Sequence, residues 1–199
     1  MSVKNRRLSV ILEEALAYDV RNNTDAADMA GQLRQHSGKS RREVSELCMK
    51  FYTKDCFLYS ALNQALRECD LTKLQTLGPY AYLLSNHART CKEYCGTVYR
   101  SAELTPAHIE VYRMALGTWK SWPAYTSTSR DRDVAEMFGN TLFVIEITGP
   151  YPTSPAAFDI SSLSDFSEEA EIFIPNGISF QILSVDQVAE GRYLIHLKI

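Results

Sequence analysis

The spacing of apolar positions changes character near residue 96. Before it, hydrophobic residues recur at helical intervals: Leu8, Ile11, Leu12, Ala15, Leu16 and Tyr18 share one face of a helix predicted over residues 8–20. Thr24 then precedes an acid-rich start to a second helix reaching Leu33. The polar stretch HSGKSRRE that follows predicts a loop or linker. Val44, Leu47, Cys48 and Phe51 make the next helical stripe, and Asp55 is placed to cap a helix carrying Leu58, Leu62, Ala65 and Leu66. Gly78 and Pro79 interrupt the period, which resumes over residues 80–88. Beyond Gly96 the pattern becomes β-like, with strands predicted at 97–101 (TVYRS), 125–129 (YTSTS), 141–147 (TLFVIEI), 178–185 and 192–199. The last puts Tyr193, Ile195, Leu197 and Ile199 on one face, and TLFVIEI suits burial on both. Thr105 followed by Pro106 opens a helix through Met114, and Asp131 starts a short one stopped by Gly139. Helices come first and strands later, an α+β arrangement without internal repeats.

One segment does not fit a plain core strand. Residues 166–175 read FSEEAEIFIP, with Glu168, Glu169 and Glu171 running into Ile172, Phe173 and Ile174. If 169–174 is extended, Glu169 and Glu171 point to one face and Ile172 to the other. Two like charges held close oppose each other's ionisation, so such a pair implies a cation or a reaction; a solvated acidic strand start is the plain alternative. The segment follows a long irregular stretch, 149–165, rich in proline and serine, and long loops in compact domains tend to be functional.

Composition narrows the classes. The 199 residues carry 45% hydrophobic and 23% charged side chains and a formal net charge of −3, ordinary values for a globular chain with room for a sizeable core. There is no basic tract to suggest nucleic acid, and no apolar run of the roughly 20 residues that span a bilayer. Glu13 and Glu14 cut the apolar part of the N-terminal stretch, which argues for a helix and against a secretory signal. Five cysteines, Cys48, Cys56, Cys69, Cys91 and Cys95, all lie in the first half, which argues against a disulfide framework. No zinc pattern is completed, His87 and His108 read as surface residues, and no metal is expected.

Three elements remain: Arg100 on the first strand, Ser127, Thr128 and Ser129 on the second, and Glu169 with Glu171 on a later one. A guanidinium beside hydroxyls suits a phosphate-bearing ligand. A carboxylate facing the same site suits chemistry at a sugar, where negative charge stabilises an oxocarbenium-like transition state. Phosphate with a reactive ribose suggests a nucleotide glycoside; neither a Rossmann nor a P-loop fingerprint is present.

In order and context these elements resemble the mono-ADP-ribosyltransferases of the arginine-serine-glutamate class, which include vertebrate ecto-enzymes and clostridial binary toxins. YSALNQALR (59–67) resembles the family's helix motif, TVYR (97–100) its arginine strand, YTSTS its serine strand, and FSEEAEIFIP its loop and catalytic strand. The resemblance covers the chain from about residue 59; residues before about 40 match nothing recognised, giving an expected N-terminal extension, 1–40, and a catalytic domain, 41–199, helical to about 92 with its β core at 95–199. It implies a helical subdomain on a two-sheet mixed β core, and an NAD(P)-dependent transferase that moves ADP-ribose to protein arginine, acting as a monomer.

By position, the resemblance implies that Arg100 grips the pyrophosphate and nicotinamide-ribose side of NAD, that Ser127 orients Glu171, and that Glu171 holds the 2'-hydroxyl of the nicotinamide ribose as the glycosidic bond breaks. Glu169 positions the acceptor guanidinium. Phe166 contacts the protein substrate, and Phe138 packs on nicotinamide unless it is a core residue. Tyr59 and Asn63 line the adenosine-phosphate side unless they only pack their helix. Ser101, with Thr128 and Ser129, completes the expected NAD contacts. Two departures stand out: Ser101 replaces a common glycine, and Thr141 stands where some toxins carry a phosphate-binding arginine, a loss that Arg130 or Arg132 could offset if they are not surface ion pairs. Arg100 as a structural ion pair is the plain alternative to its ligand role. At the level of activity the alternatives are an NAD glycohydrolase and a catalytically idle nucleotide-binding or interaction module.

Overall fold

The computed structural model describes residues 8, 10, 11, 14, 17, 24–54, 56–149, 155–164 and 170–199. They divide into two compact units, Met1–Thr90 with Leu163–Asp165, and Cys91–Ser162 with Phe166–Ile199.

The first unit is helical. Of the expected helix at 8–20, positions 8, 10, 11, 14 and 17 are helical, with Leu8 and Ile11 buried; Leu12, Ala15, Leu16 and Tyr18 lie outside the described residues. Helix α1 is Thr24–Gln35 and α2 is Arg41–Thr53. The connection between them is shorter than the polar sequence suggests, because Ser40 caps α2. Its hydroxyl accepts from the Glu43 N–H at 3.2 Å, and the Glu43 carboxylate accepts from the Ser40 N–H at 2.7 Å. This reciprocal box turns the charged RRE into a first helical turn.

Helix α3, Phe57–Glu68, follows Cys56, which supplies no side-chain cap; Asp55 lies outside the described residues. Helix α4, Leu77–Ala88, takes Gly78 and Pro79 into its first turn instead of being broken by them. The N–H that proline lacks has no intrahelical partner at that position, so the ring is tolerated there. Phe51, Leu58, Tyr80 and Leu84 are buried in this unit, each contributing roughly 1.5–3 kcal/mol of apolar burial. His87, read from sequence as a surface residue, is buried on α4. Burial lowers its imidazole below the ordinary 6.5, with the Glu46 charge opposing that shift. No helix among the described residues is long and apolar enough to cross a membrane.

Among the described residues the second unit holds nine strands: β1 Lys92–Glu93, β2 Gly96–Ala102, β3 Trp119–Ser121, β4 Thr126–Ser129, β5 Thr141–Ile147, β6 Phe158–Asp159, β7 Glu171–Ile174, β8 Ser179–Ala189 and β9 Arg192–Lys198. Their order is β1-β6-β7-β4-β2-β5-β9-β8-β3, antiparallel except for the parallel pair β5–β9. Strands β2 and β5 pair from Gly96↔Ile147 to Ala102↔Thr141, whereas β2 and β4 pair only at Tyr99↔Ser129. The expected two-sheet core thus takes the form of two sheet segments joined at one residue pair. Val98, Phe143, Ile145, Ile195 and Leu197 from one segment and Ile172 and Ile174 from the other form a single buried cluster.

Two helices punctuate the sheet where the sequence places them. Helix α5, Pro106–Met114, starts at Thr105, whose hydroxyl accepts from the His108 N–H at 3.3 Å, with proline at the first helical position. Helix α6, Arg132–Glu136, is capped by the Asp131 carboxylate, which accepts from the Asp133 N–H at 2.9 Å. Gly139 then turns at φ +79°, and a Cβ there would stand 2.4 Å from the Ala102 carbonyl carbon. Only glycine fits that close approach.

Candidate active site

The central strands bring three of the expected residues together through one of them, Ser127. On β2, Arg100 stands opposite Phe143 and so shares the face of the buried cluster. Below it, Tyr112 packs on Phe143 with ring centroids 5.5 Å apart, and Trp122 meets the same ring edge-on at 5.8 Å. The Trp122 indole N–H donates to the Tyr112 hydroxyl at 3.2 Å. Burial raises the Tyr112 phenol above its usual range, while that hydrogen bond and the Arg100 charge pull it down. From this aromatic bed Arg100 Nη1 donates to the backbone carbonyl of Ser127 at 2.7 Å. Among the described residues no carboxylate lies within ion-pairing distance of Arg100, so the structural ion pair envisaged as its plain role is not formed there.

Strand β4 divides its hydroxyls between two faces because side chains alternate along it. Ser129 stands opposite Glu171 and Ser127 opposite Phe173, so these four side chains share one face. Ser127 is diagonal to Glu171, within side-chain reach, and its hydroxyl donates to Glu171 Oε1. Thr128 faces the other way, buried beside Ile172, and its hydroxyl donates to the Ile172 carbonyl at 2.7 Å. The Ser129 hydroxyl, also buried, accepts from the Asp131 N–H at 2.8 Å and so braces the entry to α6. The side chains of Thr128 and Ser129 therefore have structural employment, whereas Ser127 meets both Arg100 and Glu171.

Glu171 opens β7 and is only 5% exposed, yet it is a carboxylate on a strand whose other members are Ile172, Phe173 and Ile174. A buried carboxylate is tolerable only with donors around it, and Ser127 supplies one. Ala170, just before it, has φ +46°. That left-handed conformation stands at the start of the pleat, and the described strand runs Glu171–Ile174. Glu169 and Phe166 themselves lie outside the described residues.

The remaining expected contacts are placed as follows. Ser101 alternates with Arg100 on β2 and borders a cavity of about 180 Å³ with Arg132, Asn140 and Leu142. Phe138 is 57% exposed, so it is not a core residue of its short helix. Tyr59 and Asn63 lie on α3 in the first unit. There Tyr59 packs on Tyr52 at 5.0 Å, and buried Asn63 donates to the Tyr52 hydroxyl at 3.1 Å. Thr141, in place of the toxins' arginine, is buried, and its hydroxyl donates to Asn140 Oδ1 at 2.8 Å. Neither candidate substitute is unpaired: Arg130 contacts Asp159 at 3.5 Å, and Arg132 donates to Glu136 at 2.6 Å.

Sequence reasoning missed Asn140, whose side-chain amide donates to the Leu104 carbonyl at 2.9 Å and accepts from the Leu104 N–H at 3.0 Å. It ties the segment after α6 to the end of β2, and the adjoining Gly139 was the available signal. Ala170 was missed as well; alanine gives no sign that its backbone is left-handed.

The family model of NAD:arginine ADP-ribosyltransferases matches residues 10–198. Mav of Mycobacterium avium (strain 104), which carries the name of an NAD(+)–arginine ADP-ribosyltransferase, is 35% identical over 144 residues. That match takes in 70% of this chain but only 16% of Mav. The ADP-ribosyltransferase HopU1 of Pseudomonas syringae pv. Tomato DC3000 superposes with a TM-score of 0.70 at 18% identity, over 100% of this chain and 97% of its own. Exoenzyme S of Pseudomonas aeruginosa, solved with human 14-3-3 protein beta and Carba-NAD, gives 0.66 at 17% identity over 99% and 88%. The structural likenesses establish a shared fold, and the family match, spanning nearly the whole sequence, establishes that this chain belongs to the NAD:arginine ADP-ribosyltransferase family.

Proposed function

We propose that the chain transfers ADP-ribose from NAD to the guanidinium of a protein arginine and releases nicotinamide. The observation that carries this reading is the linkage through Ser127, whose backbone holds Arg100 and whose hydroxyl holds Glu171. Arg100 spends one N–H on a carbonyl, which leaves guanidinium donors for the pyrophosphate. Glu171, held by Ser127, accepts the 2'-hydroxyl of the nicotinamide ribose and stabilises the cation that forms as the C1'–nitrogen bond breaks. The bonding pair leaves with nicotinamide. The acceptor nitrogen then attacks C1', and its proton passes to Glu169.

The other assignments follow the family pattern: exposed Phe138 against nicotinamide, the Ser101 backbone at its amide, and Phe166 toward the protein substrate. Arginine as acceptor rests on the family match and on glutamate at position 169. Exoenzyme S binding Carba-NAD supports NAD as the donor.

The test incubates the protein with NAD in the presence and absence of agmatine, and follows nicotinamide and ADP-ribosyl-agmatine by mass spectrometry. Agmatine-dependent adduct is expected. Nicotinamide release that agmatine does not alter, with no adduct, would establish a glycohydrolase instead. Glu171→Gln should abolish both activities, whereas Glu169→Gln should lose transfer and keep hydrolysis; equal loss in the two variants contradicts the division of roles.

A further inference from the structure

The aromatic bed of Tyr112, Trp122 and Phe143 under Arg100 carries a single hydroxyl. Tyr112 lies on α5 three residues after Ile109, and both turn toward the buried cluster, Ile109 as a member and Tyr112 packed against it. Its phenol is held from two directions: the ring stands 5.5 Å from that of Phe143, and the oxygen accepts the Trp122 indole N–H at 3.2 Å. Trp122 is fixed in turn, edge-on to Phe143 at 5.8 Å and against Phe180 at 4.5 Å. Phe143 is also the residue opposite Arg100 across β2 and β5, so guanidinium and phenol share one side of the sheet. Burial keeps the phenol protonated well past neutral pH, against the pull of the indole hydrogen bond and the Arg100 charge.

The chemistry of these neighbours leaves the phenol hydrogen without a taker. Indole and guanidinium groups donate and cannot accept, and Phe143 offers only carbon. The indole N–H occupies one lone pair of the phenol oxygen, which directs the O–H away from Trp122. Among the described residues no acceptor receives that O–H, and the Arg100 guanidinium makes one hydrogen bond, to the Ser127 carbonyl at 2.7 Å. Tyr112, Trp122 and Arg100 are all half-buried, so these donors border solvent and are not enclosed in the core. Spare donors gathered beside a permanent cation fit one class of acceptor, an oxyanion.

We propose that Tyr112 is a further NAD-binding residue, whose O–H donates to an oxygen of the pyrophosphate that Arg100 grips. This rests on the function proposed above and deepens it by naming a second donor to the same group. Nicotinamide carries no phosphate, so its binding does not depend on Tyr112. Neither does bond breaking at the ribose, which Ser127 and Glu171 serve, and the contact is made equally before and during that step.

The test compares the parent with Tyr112→Phe, which keeps the ring against Phe143 and removes only the oxygen. Carba-NAD binding is measured by calorimetry, and ADP-ribose and nicotinamide are titrated as inhibitors of nicotinamide release or exchange from NAD. Loss of a hydrogen bond to a charged group should weaken Carba-NAD and ADP-ribose about tenfold each and raise KM for NAD alike, with kcat and the affinity for nicotinamide within about twofold. Removing the phenol oxygen leaves the Trp122 N–H unpaired, so Tyr112→Phe with Trp122→Phe, which removes both partners, gives the same reading if the single variant is unstable. In an Arg100→Lys background the loss should persist, because the phenol bonds the ligand; a loss that disappears there assigns the effect to Arg100 and overturns the contact. Unchanged affinity for Carba-NAD and ADP-ribose overturns the proposal and leaves the function intact. A fall in kcat or an equal loss of nicotinamide affinity does so too, as the mark of a merely structural role. A parent protein that binds no Carba-NAD and turns over no NAD overturns the function and this proposal with it.

Discussion

Ser127→Ala separates the two jobs that converge on one residue. The substitution leaves the backbone carbonyl that Arg100 Nη1 contacts at 2.7 Å and removes only the hydroxyl that donates to Glu171. A hydrogen bond to a charged group contributes about 1.5–3 kcal/mol, and at about 1.4 kcal/mol per decade its loss from the transition state lowers kcat roughly ten- to hundred-fold. Burial of Glu171 at 5% exposure favours the upper part of that range, because little water can replace the lost donor. KM for NAD should stay within about twofold of the parent, since Arg100 is undisturbed. The assay is steady-state nicotinamide release across NAD concentrations, with thermal melting to establish that the variant is folded. Ser127→Thr, which keeps a hydroxyl at the same carbon, should recover part of the rate. An unchanged kcat with a raised KM would mean that the hydroxyl serves NAD binding and not Glu171, and would refute the reasoning.

Two further outcomes follow from packing and charge. Gly139→Ala should lower stability by at least about 1 kcal/mol, measured as a fall in the urea midpoint. The new Cβ meets the Ala102 carbonyl carbon at 2.4 Å in a backbone at φ +79° that disfavours a side chain. His87, whose pKa is lowered by burial, makes stability rise with pH just below 6.5. There the unfolded chain takes up a proton that the folded chain refuses, and above that value the effect vanishes. Replacing His87 with glutamine should flatten the urea midpoint between pH 5 and 7.5 relative to the parent; an unchanged slope would assign the dependence to other groups.

Much of this architecture was legible because it lies in long periodic stretches. TLFVIEI became β5 over the same seven residues, Thr105 with Pro106 opened α5, and Asp131 and Gly139 bracket α6 and its exit. Strands β1, β3 and β6 went unseen because two or three residues cannot display an alternation; tertiary pairing alone defines them. Pro79 misled because a proline at the start of a helix and one that ends it read alike until the cap is known. At the site, Arg100, Ser127 and Glu171 came from motif order; the contact of the Arg100 guanidinium with the Ser127 carbonyl was not legible there, because backbone acceptors leave no mark in a motif. The left-handed backbone at Ala170 went unseen because φ is not written in an alanine. Thr128 and Ser129 looked equivalent to Ser127, and only the register of β4 against β7 distinguishes the three hydroxyls.

The seam at Tyr99↔Ser129 bears on how such a protein can change over time. Arg100, Ser127 and Glu171, on β2, β4 and β7, lie at or next to this seam, with two further strands beyond them on one side and four on the other. Outermost strands β1 and β3 are accordingly the places where segments could be grafted, lengthened or trimmed without disturbing the chemistry. Diversification of this scaffold should accumulate at its margins, while the middle tolerates little.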